Sequence, residues 1–225
     1  LLAVLATGLL LVAALTCRAA TLTWTGAAGD GLISTAGNWS PAQVPSSGDT
    51  LIFSGGNSLS PQLTSALTVG SITFNSTASA FTLGGAATYT VNSGGITNNS
   101  TATETIAAAI SLGAAQSWNA AAGALVFSGL IANNGRLLTI NGVNSTTING
   151  ALSGTGGLTK TGAGTLTLAG ANTYSGPNTL TTGPIVAGSN QALGTGTLTL
   201  NGGTIQADAS ARSLANTVTL KASST

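Results

Sequence analysis

Histidine is absent from the 225-residue chain, and cysteine occurs once, at Cys17. Without histidine, neither a Ser-His-Asp nor a Cys-His catalytic group can be assembled, and no imidazole is available to a metal. A single cysteine cannot close a disulfide or build a thiolate zinc site. Charge is almost as scarce. Five Lys+Arg and four Asp+Glu make the chain 4% charged, with a formal net charge of +1, against about one-quarter charged residues in ordinary proteins. No basic stripe can neutralise a phosphate backbone, so nucleic acid is disfavoured as a partner. Aspartate is too rare for the repeated Gly-Gly-x-Gly-x-Asp of the calcium-binding β-roll. No Gly-x-Gly-x-x-Gly or Walker A phrase occurs, so the glycines read as turn glycines. No cofactor and no metal is expected.

Glycine is abundant, at 32 residues, and 43% of the chain is apolar. That apolar share supports a core and excludes a disordered linker; glycine does not fall at every third residue, which excludes collagen. The dominant pattern is period-two alternation of apolar residues with Thr, clearest from Gly157 to Gly176. Alternation suits a strand with one buried face, whereas a helix needs apolar residues three and four apart. Short runs recur at Leu22–Trp24, Leu51–Phe53, Leu67–Val69, Ile72–Phe74, Phe81–Leu83, Tyr89–Val91 and Ile106–Ile110. They continue at Leu125–Phe127, Leu137–Ile140, Leu158–Lys160, Thr165–Leu168, Ile185–Ala187, Leu198–Leu200 and Val218–Leu220. Turn signals such as Gly94-Gly95, Asn134-Gly135 and Asn201-Gly202 separate them, because Asn and Gly tolerate positive φ.

Antiparallel hairpins and a parallel β-helix can both satisfy this pattern. Three features favour the β-helix. The strands are three to five residues long, Thr and Asn recur as ladders would need, and Gly164-Thr-Leu-Thr-Leu168 returns as Gly196-Thr-Leu-Thr-Leu200. The return corresponds to one to one-and-a-half coils, in a stack on the order of eight to ten coils spaced about 4.8 Å apart. Residues 21–60, with Trp24, Trp39, Phe53, Pro41 and Pro45, form an atypical segment expected to cap the first coil. Residues 61–225 are expected to carry the repeats.

Residues 1–20 read as a signal peptide truncated at its start. Leu1–Leu15 is uncharged and of h-region length, short for a membrane span. The tripeptide Cys17-Arg18-Ala19 has small residues at both ends, so cleavage after Ala19 or Ala20 is expected. A buried N-terminal helix and a lipid anchor on Cys17 are the alternatives.

Few residues could carry chemistry. Asp30, Asp49, Glu104 and Asp208 are the only carboxylates; the first two sit in turn phrases, and a glycosidase would need two of the four to meet. Lys160 and Arg212 could contact a ligand, but Lys160 reads as an outward, edge-protecting charge. Trp24 and Trp39 are expected to fill the cap. Trp118 is expected to close a corner, or else to stack on a sugar.

The stretch from Gly157 to Gly203 resembles the autotransporter-associated β-strand repeat, also called the passenger-associated transport repeat. Gly157, Leu158, Lys160, Gly162, Gly164, Leu166, Leu168, Gly170, Asn172, Tyr174 and Gly176 carry the resemblance, with Ala192-Leu-Gly194 and Gly202-Gly203 beyond. Gly183-Pro184-Ile185 departs from it, and a proline there predicts a break in the ladder. Trp24, Asn38-Trp39, Pro45, Gly48-Asp49 and Phe53 resemble the segment that precedes such repeats. The resemblance implies an all-β, right-handed parallel β-helix in an exported bacterial surface or secreted protein. It implies a non-catalytic passenger or stalk that works with an outer-membrane translocation barrel. The chain is then expected to be a fragment, or a protein that uses the repeats without that barrel. An adhesin binding host or environmental glycans is the alternative, and a polysaccharide-degrading enzyme a further one.

Overall fold

The computed structural model describes residues 18–221, so most of the expected leader, Cys17 included, lies outside the described residues. β1 (Thr21–Trp24), β2 (Trp39–Ser40) and β3 (Thr50–Phe53) come first, with one 3-10 turn at Ala36–Asn38. Then follow β4 (Leu67–Phe74), β5 (Thr82–Leu83), β6 (Thr88–Asn98), β7 (Glu104–Ile106) and β8 (Ala109–Leu112). The middle contains β9 (Gln116–Ala120), β10 (Leu125–Phe127), β11 (Ile131–Ala132), β12 (Leu138–Gly142), β13 (Thr146–Ile148) and β14 (Leu152–Ser153). The last part contains β15 (Leu158–Lys160), β16 (Leu166–Leu168), β17 (Asn178–Leu180), β18 (Pro184–Ala187), β19 (Leu198–Leu200), β20 (Thr204–Ala207) and β21 (Val218–Leu220).

Each strand pairs with the strand one coil away, giving a parallel β-solenoid of about eight turns. The first sheet runs β2-β1-β3-β4-β6-β9-β12-β15-β17-β19-β21, and the second runs β5-β7-β10-β13-β16-β18-β20. β8, β11 and β14 make a third row. Among the described residues, every strand pairing except that of β1 with β2 is parallel.

Alternation places like on like. One inward row runs Leu22, Leu51, Ile72, Ile96, Trp118, Ile140, Lys160, Leu180, Leu200, Leu220 through successive register partners. An outward row of the same sheet runs Thr139, Thr159, Thr179, Thr199, Thr219. The threonines solvate the surface without charge while their β-branched stems suit the pleat. Each fully buried Leu, Ile or Val contributes roughly 1.5–3 kcal/mol. One coil cannot offset its own ordering entropy, so stability accrues along the stack.

Several expected boundaries move. Leu67–Val69 and Ile72–Phe74 fuse into β4, and Gly94-Gly95, expected as a turn, lies inside β6. The two strands bulge together, with a register shift between Val69 and Ser71. Gly94 has no room for a side chain, since a Cβ there would lie 2.7 Å from the Gly70 carbonyl oxygen. The expected run Ile106–Ile110 is split between β7 and β8, because the chain turns a corner at Ala107-Ala108, whose N–H groups both donate to the Leu83 carbonyl at 2.8 and 3.0 Å. The break expected at Pro184 does not occur. Pro184 is the first residue of β18, its register partner is Thr204, and Ile185 pairs with Leu166. The first position of a strand tolerates the missing N–H.

The coils become uniform along the chain. Register partners are 29 positions apart at Thr21↔Thr50, 21 at Thr50↔Ser71, 24 at Ile72↔Ile96 and 22 at Ile96↔Trp118. From Leu138 the spacing is 20, through Leu158, Asn178, Leu198 and Val218. In the tight coils, glycine stacks on glycine where backbones meet: a Cβ on Gly176 would lie 2.3 Å from the Gly156 carbonyl carbon, and one on Gly196 would lie 1.9 Å from the Gly176 oxygen.

Candidate functional site

The residues able to do chemistry are dispersed. Asp30 closes a turn: its carboxylate accepts the Leu32 N–H at 2.9 Å, the Thr35 hydroxyl at 2.6 Å and an Asn38 amide N–H at 2.6 Å. The Thr35 hydroxyl, followed by the Leu32 amide, holds this acid below the usual carboxylate range. Asp49, fully buried, accepts from Ser46 and from the Ala20 backbone. Asp208 pairs with Arg212 four residues on, Nε to Oδ1 at 2.9 Å, and the Arg212 hydrogen bond lowers its pKa. Glu104 and Asp208 flank the second sheet five ladder steps apart, about 24 Å. A glycosidase pair stands at about 5–9.5 Å. Among the described residues no group of three His, Cys, Asp or Glu could hold a metal ion.

Lys160 corrects its expected outward position. It is 1% exposed and occupies the inward row between Ile140 and Leu180. Its ammonium donates to the Gly162 carbonyl of its own coil and to the Thr182 carbonyl of the next at 3.3 Å. Burial pushes this group below the ordinary lysine range. The physical reason is phase: Leu158 points inward, so the residue two positions on does as well. The long stem fills the core, and the head reaches the corner carbonyls.

Trp118 is corrected too. It is neither at a corner nor at the surface, but fully buried in the middle of β9. Its ring stacks on Phe127 with centroids 4.0 Å apart and planes at 19°. Its Nε1–H donates to Gln116 Oε1 at 3.0 Å, and Gln116 Nε2 donates to the Val91 carbonyl at 2.7 Å. A sugar has no access to this ring. Trp24 and Trp39 are buried and meet edge to face at 5.1 Å and 79°. All three Trp, both Tyr and all four Phe are in the core.

Glu104 is the residue whose importance sequence reasoning missed. Its row continues as Leu125, Thr146, Leu166 and Ile185, all facing inward. Oε2 accepts the Phe81 N–H at 2.7 Å, while Oε1 has no partner. Burial pushes this carboxyl up to about 7, against the opposing pull of the Phe81 amide. The inward phase of Ile106 was the available signal.

A surface cavity of about 110 Å³ lies between Ile33, Ser34, Val44, Pro45 and Leu63–Leu67, lined by apolar and hydroxyl side chains and no titratable one. The densest polar network belongs instead to the stack. Asn172 takes the Leu152 N–H at 2.8 Å and donates to the Ala192 carbonyl at 2.6 Å, so it bridges three coils. The Tyr174 hydroxyl donates to Asn178, whose amide donates to the Leu193 carbonyl at 2.9 Å.

These bridging residues are those of the sequence repeat, within a parallel β-solenoid. Residues 158–184 match the family model described as Passenger-associated-transport-repeat. No curated protein and no solved structure matches the chain. The matched repeat and the solenoid fit the passenger segment of an autotransporter.

Proposed function

We propose that this chain is a non-catalytic passenger or stalk segment of an exported bacterial surface or secreted protein. Its leader is removed on export by cleavage after Ala19 or Ala20. The solenoid then folds coil by coil as it emerges through an outer-membrane translocation barrel of the same protein, and holds what it carries away from the cell. The observation that carries this reading is the use of the repeat's own polar residues. Lys160, Asn172, Tyr174 and Asn178 all spend their hydrogen bonds on carbonyls and amides of the solenoid, most of them in neighbouring coils. Each added coil therefore meets a template of backbone groups and matching side chains, which suits folding in one direction during export. Low charge and the rarity of cysteine also ease passage of the unfolded chain.

The glycan-binding alternative loses its stacking platform, because sugar stacking needs an exposed ring and every aromatic side chain is buried. The test is display. The chain is placed between a leader and an outer-membrane barrel in a Gram-negative host, and whole cells are treated with protease. A protease-resistant core accessible to external antibody is expected, and deletion of residues 158–184 should reduce it severalfold. A core found only inside the cell, or unchanged display without 158–184, would overturn the proposal.

A further inference from the structure

Asp49 is fully buried, and no cation among the described residues pairs with it. Its carboxylate faces the point where the chain enters the first coil. Oδ1 accepts the Ala20 N–H at 2.7 Å; Oδ2 accepts the Ser46 N–H at 2.8 Å and the Ser46 hydroxyl at 3.0 Å. The Ala20 carbonyl in turn accepts the Thr50 N–H at 2.8 Å. Ala20 is half-buried, whereas Arg18 and Ala19 are exposed. The part of the chain built into the coil thus starts at Ala20.

The sequence points to the same bond. Cleavage after Ala19 places small residues at both ends of the recognition tripeptide Cys17-Arg18-Ala19; cleavage after Ala20 would place Arg18 at its start. We infer that processing cuts the Ala19–Ala20 bond and that the new α-ammonium group of Ala20 becomes the counter-ion of buried Asp49. This rests on the export reading above. The step is hydrolysis: water adds across the amide, leaving a carboxylate on Ala19 of the departing leader and an ammonium on Ala20. Folding then seats that ammonium where the amide N–H now lies. The hydrogen bond becomes charge-assisted, and the buried anion gains a positive partner. Cleavage one residue later would take away the donor to Asp49 Oδ1 and the acceptor for Thr50 N–H, leaving a buried oxygen unpaired. Of the two residues bonded to the Ala20 backbone, Asp49 alone carries a titratable side chain, and Arg18 leaves with the leader.

The experiment uses protein secreted by a Gram-negative host from a gene carrying a complete leader. Intact mass and N-terminal sequencing give the first residue, and melting temperature is followed from about pH 6 to pH 10. Ala20 is the expected terminus. An α-amine ordinarily titrates at about 7.7–8.0, and a carboxylate beside it raises that value in the folded state. Its stabilisation is therefore complete below about pH 7.7 and lost as pH rises through the higher folded value. The expected fall is at least about 2–4 °C. Two changes should flatten it. Asp49→Asn removes the anion; one extra glycine before Ala20 turns its nitrogen back into an uncharged amide without touching Asp49. A different first residue overturns the inference, as does an Ala20 terminus whose pH profile survives both changes. Protein retained in the cytoplasm with its leader attached overturns the export reading itself, and this inference with it.

Discussion

The two halves of the solenoid reach the same architecture by different means. Up to Phe127 the coils vary in length, and the core holds eight of the nine aromatic side chains, Trp24, Trp39, Phe53, Phe74 and Phe81 among them. Centroids in that first cluster lie 5.1 to 6.3 Å apart. From Leu138 the spacing settles at 20, Tyr174 is the lone aromatic, and Leu rows, stacked glycines and bridging asparagines take over. Large rings fill a wide and irregular section, whereas a narrow uniform one needs small residues at fixed places. The first half should therefore be sensitive to lost volume, and the second to added volume.

The largest expected contrast is within the second half. β20 and β21 are mostly exposed, with Val218 at 53% and Leu220 at 73%, while Leu166 and Leu180 are fully buried. Local opening costs range from near zero to the whole folding free energy. Amides after residue 205 should therefore exchange at least about 1000-fold faster than those around 165. Equal protection by hydrogen-exchange mass spectrometry would erase that gradient.

Next comes volume lost from the first half. Trp118→Ala should cost about 3–5 kcal/mol in urea unfolding, because the ring, its stack on Phe127 and its bond to Gln116 all disappear. A cost below about 2 kcal/mol would deny the first half its reliance on aromatic bulk.

Added volume sharpens the comparison from the other side. Gly176→Ala should cost about 3 kcal/mol, since the new carbon meets the Gly156 backbone at 2.3 Å. Gly29→Ala, in the first coil, meets nothing within 4 Å. There only the positive φ of 76° resists, at about 1–2 kcal/mol. Equal losses in thermal unfolding would show that coil spacing does not govern glycine use.

The smallest expected effect is pH-dependent. Glu104, at about 7 in the fold against 4.5 ordinarily, keeps a proton that the unfolded chain has already released. Its contribution is thus fully present below about 4.5 and disappears as pH rises through 7, a loss of about 1–3 kcal/mol. Glu104→Gln should remove that slope. Stability that instead rises over this interval in the native chain and not in the variant would reverse the assignment.

The strands were legible because alternation is a local property of sequence: Leu22–Trp24, Leu125–Phe127 and Leu198–Leu200 fall within or coincide with observed strands. The corners were less so. Whether Gly94-Gly95 turns the chain or bulges within a strand depends on the neighbouring coil, here Gly70 and Ser117. Lys160 was misplaced, and Glu104 was left unplaced, for another reason. Charge argued for water at Lys160, while phase, fixed by Leu158 and Ile106, put both side chains inside. In so regular a stack phase prevails, since turning one residue outward would turn its whole strand.

The phrase Gly164–Leu168 builds β16 in the second sheet, and its copy Gly196–Leu200 builds β19 in the first. The copies start 32 positions apart, about 1.6 of the 20-residue coils, so the same five residues serve both walls of the column. Two inward leucines around an outward threonine specify a wall but not which wall. A gain or loss of one whole 20-residue coil would therefore change the length of the shaft and leave every strand on its own side, whereas a gain of a fractional coil would set each later strand against the wrong neighbour.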